Sequence, residues 1–208
     1  MWALVHVLGP RDNSKIRILR KNGIEIIDTT SRSKKLWTAQ LSPFYLGPVS
    51  LYHGEISQNV ENGWQYSKVY ACHLDDNGNP TRDYWTWART GWRKKRADRY
   101  PMGKGAVPEY SYWRGEKLDY IDARKKIYFP LYAGTVKKTH AFNVLKNRYL
   151  QGEDLYLWDF DGYDYIKEGI PLKAVIDNPE KKMGHAFVLA MLLEYERNKY
   201  AGTVCTNG

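Results

Sequence analysis

Residues 60–70 read Val-Glu-Asn-Gly-Trp-Gln-Tyr-Ser-Lys-Val-Tyr, and they carry the most informative pattern in the chain. On a helix, Glu61, Gln65 and Lys68 are spaced at i, i+4 and i+7, so their side chains form one polar line, with Trp64 beside it. Such a set can protonate, orient and stack a polar ligand. The alternative is an amphipathic helix whose charged face is solvated, and the spacing alone favours that alternative. Asn59 is expected to cap this helix.

The rest of the chain predicts an α+β fold that is mainly helical, with a small N-terminal β-sheet. Asn22-Gly23 lies between two apolar runs and predicts a hairpin over residues 16–27. Further strands are expected at residues 2–8 and 47–53. We therefore expect one domain over residues 1–208, in which residues 1–55 are mostly β and residues 56–208 are mostly helical.

Helical spacing begins near Gly115. Residues 177–180 read Asp-Asn-Pro-Glu and resemble an N-terminal cap with proline at its first helical position. The helix that follows is apolar on all sides through residues 186–193, so we expect it to be central and buried.

Composition indicates the class of protein and the compartment in which we expect it. The 208 residues are 43% hydrophobic, enough for a real core. No apolar stretch approaches the roughly 18 residues of a membrane span, so no membrane partner is expected. Cys72 and Cys205 lack CxxC spacing, and no signal-peptide layout is present, which favours the reducing cytoplasm. Scattered histidines and missing phosphate-loop motifs predict neither a metal nor a cofactor.

The net charge of +9 indicates a polyanionic partner. Basic and aromatic residues alternate within residues 84–100, a composition suited to phosphate contact and base stacking. The alternative is a partly buried aromatic strand with a solvated basic tail, and both interpretations stay open. The candidate nucleic-acid contacts are Trp92, Arg93, Lys94, Lys95 and Arg96.

Carboxylates are the remaining candidates for chemistry. Residues 159–164 read Asp-Phe-Asp-Gly-Tyr-Asp and lack the spacing of a calcium loop. Carboxylates can stabilise a cationic transition state, activate water or protonate a leaving group. Glu61 and one of Asp159 or Asp161 can supply these groups. The alternative is that Glu61 is an ordinary surface residue and the Asp loop a simple turn.

The order of these segments resembles the NADAR family, small N-glycosidases associated with NAD and ADP-ribose metabolism. Residues 41–44, Leu-Ser-Pro-Phe, resemble the family's Leu-Ser-x-Phe segment, and residues 61–68 resemble its Glu-x-x-aromatic-Gln-x-x-Lys helix. A Met-Gly element at residues 102–105, a Trp, the Asp loop and a Gly-led terminal helix follow in the same order. The resemblance covers about residues 24–196.

Two departures mark the chain as a divergent member. The family's late loop has Asp followed by Trp-Gly, whereas this chain has Asp159-Phe160-Asp161-Gly162, so the matching carboxylate stays open between Asp159 and Asp161. The stretch between Lys68 and Met102 is also longer than expected.

The resemblance implies hydrolysis of an N-glycosidic bond in an ADP-ribose-type adduct. The basic charge favours removal of ADP-ribose from guanine in DNA, which reverses a toxin or defence modification, over hydrolysis of small ribosides. The alternative from another class is a non-catalytic DNA-binding protein that uses residues 84–100. The implied catalytic residues are Glu61, Asp159 and Asp161, and the implied substrate-binding residues are Ser42, Phe44, Trp64, Gln65, Lys68, Gly103, Lys104, Trp113 and Gly184.

Overall fold

The computed structural model describes the chain from residue 3 to residue 206, with side chains as far as residue 201. The fold is α+β and mainly helical, as predicted. Its strands are β1 (Val5–Leu8), β2 (Ile27–Asp28), β3 (Val49–Ser50), β4 (Ile56–Ser57), β5 (Lys68–Val69), β6 (Tyr110–Trp113), β7 (Glu116–Leu118) and β8 (Leu155–Trp158). Its α-helices are α1 (Asn13–Lys21), α2 (Leu36–Ala39), α3 (Val60–Gln65), α4 (Arg82–Arg93), α5 (Tyr120–Ala123), α6 (Phe129–Val136), α7 (His140–Leu150) and α8 (His185–Thr206).

These elements group into two compact units. The first unit contains the residues up to 42 and those from 136 onward, and the second unit contains residues 43–135. In the first unit, β8 lies between β1 and β2, and all three strands run parallel. Helix α8 packs against β1 and α7. Its residues 186–190 are completely buried, which confirms the prediction of a central apolar helix.

The second unit is built around antiparallel strands and an aromatic core. Strands β3 and β4 pair with each other, and β5, β6 and β7 form a separate three-stranded sheet. Tyr52 lies at the centre of the core, where its ring centroid is 4.9 Å from that of Trp113 and 6.1 Å from that of Trp92. A π-helical turn, Arg124–Tyr128, joins α5 to α6 and packs against α3.

The predicted hairpin around Asn22-Gly23 is wrong. Residues 16–19 lie inside α1, and Gly23, at φ +76°, closes the C terminus of that helix through a bond from its N–H to the Arg20 carbonyl. Glycine with positive φ serves a helix stop as well as a hairpin turn, so the dipeptide could not distinguish the two. Residues 1–55 are therefore not mostly β, because α1 and α2 accompany the short strands β1–β3. Within the predicted strand at residues 2–8, Trp2 lies outside the described residues.

Two later segments also differ from the prediction. Residues 177–180 do not begin a helix. Asn178 Oδ1 accepts a hydrogen bond of 3.0 Å from the Glu180 N–H in a local turn, and α8 begins only at His185. Residues 84–93 belong to helix α4 rather than to a strand. Thr81 caps the N terminus of α4. The buried residues of this helix recur with a helical period, and they are Tyr84, Ala88, Gly91 and Trp92.

Within residues 3–206, none of the helices combines the length and the apolar character that crossing a bilayer would require.

Candidate functional site

The helix that carries Glu61 is fixed at its N terminus by neighbouring backbone. Asn59 caps it as predicted, because its Oδ1 accepts the Asn62 N–H at 2.8 Å. The Glu61 N–H donates to the Pro43 carbonyl at 3.0 Å, and the Val60 N–H donates to the Leu46 carbonyl at 2.8 Å. Two segments that are separate in sequence, Pro43–Leu46 and α3, therefore meet in the second unit.

The predicted polar line is present, with Glu61 and Gln65 buried and Lys68 half-buried. Gln65 Nε2 donates to Glu61 Oε1 at 2.9 Å, and Lys68 Nζ donates to Gln65 Oε1 at 2.7 Å. Glu61 is 6% exposed and Gln65 is 8% exposed, so the alternative of a solvated charged face is wrong. Helix α3 ends at Gln65, and Lys68 belongs to β5. The line is thus held together by hydrogen bonds across the end of the helix.

Aromatic rings flank this polar line. Lys68 Nζ lies 4.9 Å from the Trp64 ring, and the Trp64 and Tyr128 rings are 5.3 Å apart. Tyr128 ends the π-helical turn, which also carries the buried cation Arg124, a donor to the Tyr120 hydroxyl at 2.9 Å. π-helical turns occur frequently at functional sites. Arg124 could not be identified from the sequence, because a buried arginine has no pattern that separates it from a surface one.

The other predicted substrate contacts of the second unit fall into different settings. Trp113 is 7% exposed and meets Tyr52 edge-on, so it is a core residue rather than an open stacking platform. Phe44 is half-buried. Gly103 and Lys104 lie in an exposed turn, in which the Gly103 N–H donates to the Tyr100 carbonyl at 3.0 Å.

The basic segment at the end of α4 is exposed, but its tryptophan is not. Trp92 is 0% exposed, so its assignment as a nucleic-acid contact is wrong. Arg93, Lys95 and Arg96 are exposed, and so is Lys94. Lys94 Nζ binds Asp98 Oδ2 at 2.7 Å and the Tyr66 hydroxyl at 3.0 Å, and these two partners raise the pKa of Lys94.

In the first unit, Asp159 directly follows β8 and caps α8. Its Oδ2 accepts the Ala186 N–H at 3.1 Å and lies 3.0 Å from His185 Nδ1, while its Oδ1 accepts the Asp161 N–H at 3.2 Å. His185 Nε2 lies 2.8 Å from the Thr29 carbonyl. Both ring nitrogens of His185 face acceptors, so the imidazolium form satisfies both contacts. Asp159 and His185 are therefore a buried ion pair.

Gly184 and Ser42, which were predicted to bind substrate, have structural positions in the same unit. A Cβ atom at position 184 would overlap the Asp159 carboxylate, so glycine lets Asp159 approach the start of α8. Ser42 is 1% exposed, and its N–H donates to the Ala39 carbonyl at 3.1 Å. Asp161 is half-exposed, unlike Asp159. The two carboxylates of the Asp loop thus differ in setting, which the sequence left open.

Asp159 is expected to make the stability of the protein depend on acidic pH. Burial opposes its ionisation, but His185 and the Ala186 N–H favour it and hold the pKa of Asp159 at about 2, below the ordinary 3.8. A lowered pKa stabilises the fold above about pH 4, and this contribution, about 2 kcal/mol, is lost as the pH falls towards 2. Chemical denaturation between pH 6 and pH 2 measures it. Asp159→Asn should lose this part of the acid dependence, and an identical profile in both proteins would contradict the assignment.

Among the described residues, no three His, Cys, Asp or Glu side chains converge as a metal-ligand group.

A family model matches residues 11–188, and its description is a family of unknown function, DUF6939. No curated protein and no solved structure matches the chain.

Proposed function

The chain belongs to DUF6939, a family of unknown function, and we propose that it is an N-glycosidase that removes ADP-ribose from guanine in DNA. The observation that carries this proposal is the buried carboxylate of Glu61, oriented by the Gln65 amide and, through it, by the Lys68 ammonium. The NADAR resemblance of the same residues supplies the reaction class. The proposed biological role is reversal of a toxin or defence modification.

Burial makes Glu61 a functional candidate on physical grounds. Removing a carboxylate from water is costly, so such groups persist where specific partners or a reaction require them. Here the partners are arranged in sequence, because Gln65 donates to Glu61 and accepts from Lys68. An amide fixed in this way holds the carboxylate in one orientation, as a catalytic group needs.

The chemistry follows from that orientation. The bond between the ribose C1′ and the guanine nitrogen breaks, and positive charge develops on the sugar ring. The Glu61 carboxylate stabilises this charge and takes a proton from the attacking water, whose oxygen bonds to C1′. The leaving nitrogen takes a proton from solvent, which regenerates guanine, and Glu61 gives the proton it took from water back to solvent. Trp64 and Tyr128 are buried like Trp113 and pack beside the polar line, so they form the apolar wall behind the proposed site rather than an open stacking face. We place the reaction in the cytoplasm, where the exposed thiol of Cys72 would stay reduced.

The second candidate is a non-catalytic DNA-binding protein. It is favoured by the exposed cations Arg93, Lys95 and Arg96, for which no salt bridge occurs within residues 3–206. This candidate needs no role for Glu61. The hydrogen-bonded line from the buried Glu61 to the half-buried Lys68 is the reason to prefer the enzyme.

Mass spectrometry after incubation with a panel of substrates tests the proposal. The panel contains guanine-ADP-ribosylated DNA, ADP-ribosylated protein, an ADP-ribosylated guanine nucleoside and free dinucleotide. We expect release of ADP-ribose and restoration of guanine from the modified DNA. Cleavage of the free dinucleotide alone would support a small-molecule glycosidase. Retention of DNA without any cleavage would support the DNA-binding protein.

A further inference from the structure

Two buried asparagines of the second unit hold the basic loop, residues 93–98, from behind. Asn62 Nδ2 donates to the Lys94 and Arg96 carbonyls, both at 3.0 Å, and Asn62 Oδ1 accepts the Asp98 N–H at 2.8 Å. Asn59 Nδ2 donates to the Lys95 carbonyl at 3.3 Å. Asn62 is 0% exposed and Asn59 is 1% exposed, so these bonds form away from water. Asn59 is the N-cap of α3 and Asn62 lies in its first turn, so the two asparagines flank Glu61 in sequence.

This arrangement determines what the loop presents to solvent. Three consecutive carbonyl groups, those of residues 94–96, accept bonds from buried amides and are therefore turned into the protein. The side chains of these residues are exposed. Carbonyl oxygens would repel an anion, and here they are engaged behind the loop. The outer face thus carries positive charge on a backbone that is fixed before any ligand binds.

Not every cation of the loop is equally available. Lys94 is paired with Asp98, whereas Arg93, Lys95 and Arg96 form no salt bridge within residues 3–206. Three exposed cations along one short segment with a fixed backbone match the repeated charges of a nucleic-acid backbone. A single free phosphate would need convergent donors instead.

The three tryptophans of α4 pack against other rings or lie in the core. The ring centroid of Trp87 lies 4.5 Å from that of Tyr66 and 4.6 Å from that of His73, and Trp92 is completely buried. Trp85 packs 5.0 Å from Tyr84 and 5.2 Å from Tyr112. The loop itself carries cations and no aromatic ring, and the exposed ring that follows it, Tyr100, lies against Arg99. The contact with phosphates therefore predicts binding that is independent of base sequence.

We infer that residues 93–96 form a preordered phosphate-backbone contact for nucleic acid, and that Asn62 is its positioning residue. The inference rests on the proposed function in its choice of a nucleic-acid substrate, and it extends that function by naming the contact and the device that orders it. Arg93, Lys95 and Arg96 bind the backbone. Asn62, on the helix of Glu61, sets the conformation in which they do so.

The contact is tested by reversing the three charges, Arg93→Glu, Lys95→Glu and Arg96→Glu, and measuring affinity for unmodified duplex DNA over a salt series. Each lost contact lowers the slope of log affinity against log salt by about 0.9, so the triple variant should lose about 2.7. The control is Arg17→Glu, Arg20→Glu and Lys21→Glu on α1, exposed cations whose reversal changes the net charge equally. Equal losses in both variants would mean that net charge alone attracts DNA and would overturn the inference.

The positioning role is tested by Asn62→Ala. With every charge kept, the loop must become ordered on binding, and we expect affinity for DNA to fall about tenfold. The control for general destabilisation is Thr139→Ala, which removes the cap of α7 in the first unit, where Thr139 Oγ1 accepts the Phe142 N–H at 3.1 Å. Asn62→Asp, which keeps an acceptor for the Asp98 N–H but loses both donors, should bind as weakly as Asn62→Ala or more weakly. DNA affinity unchanged in both Asn62 variants would overturn the positioning role.

These outcomes separate the inference from the proposed function. Suppose that the wild type cleaves no member of the substrate panel, but that the slope of log affinity against log salt is lower in the triple variant. The backbone contact is then supported, and the proposal of a glycosidase is wrong. If the wild type cleaves modified DNA and the triple variant has the same slope of log affinity against log salt as the wild type, the proposed enzyme is supported and this contact is wrong. Turnover of the ADP-ribosylated nucleoside, which lacks a backbone, should be equal in the wild type and the triple variant.

Discussion

Glu61→Gln is expected to lower turnover of ADP-ribosylated DNA by about 10²–10⁴-fold while the fold stays intact. Glutamine has nearly the same shape and keeps an oxygen that can accept from Gln65 Nε2, so the hydrogen-bonded line from position 61 to Lys68 can persist. It cannot take a proton from water, and it carries no charge to stabilise the cationic sugar. The initial rate of ADP-ribose release measures the loss, and circular dichroism checks the fold.

Two further variants show whether such a loss is specific. Glu116→Gln changes an exposed glutamate on β7 and should turn over at the wild-type rate. Gln65→Ala leaves the Glu61 carboxylate in place but removes its orienting amide, so we expect an intermediate rate. Wild-type turnover by Glu61→Gln would remove this residue from the mechanism. An equal loss in Glu61→Gln and Glu116→Gln would point to a general effect of charge.

The parts of the fold and site that the sequence predicted are those set by local spacing. The i, i+4 spacing of Glu61 and Gln65 brought these two side chains together, and Asn59 caps α3 as expected. The uninterrupted apolar run in α8 identified a central helix. Each of these patterns involves residues within one or two helical turns, where backbone geometry alone decides which side chains meet.

The parts that could not be predicted depend on tertiary contacts. Whether Glu61 is solvated or buried is decided by what packs over α3, including a π-helical turn more than 60 positions later. The Asn62 side chain reaches carbonyl groups more than 30 positions away, and no short pattern encodes that bond. The basic residues that follow Trp92 suggested that it lies at the surface. The helical period of α4 instead places Trp92 on the buried face of the helix.

Asp159→Asn is expected to destabilise the protein by about 3 kcal/mol, because it breaks a buried ion pair and leaves the His185 imidazolium without its counter-ion. The Asp159 Oδ2 position receives both His185 Nδ1 and the Ala186 N–H, so an amide nitrogen there would face two donors. Turning the amide to avoid this would place its nitrogen against the Asp161 N–H instead. Neither orientation satisfies the site, and urea denaturation should show a clearly lower midpoint.

Asp161→Asn is the matched control two positions along the same loop. Asp161 is half-exposed, so its substitution should change the free energy of unfolding by about 0.5 kcal/mol or less. If the carboxylate implied by the NADAR resemblance is Asp161, turnover should nevertheless fall in this stable variant, whereas residual activity of Asp159→Asn should follow its folded fraction. Equal and mild effects of both substitutions on stability and turnover would mean that the Asp loop is an ordinary turn. The role of Asp159 as the cap of α8 would then be wrong as well, since a buried carboxylate with three partners cannot be replaced without cost.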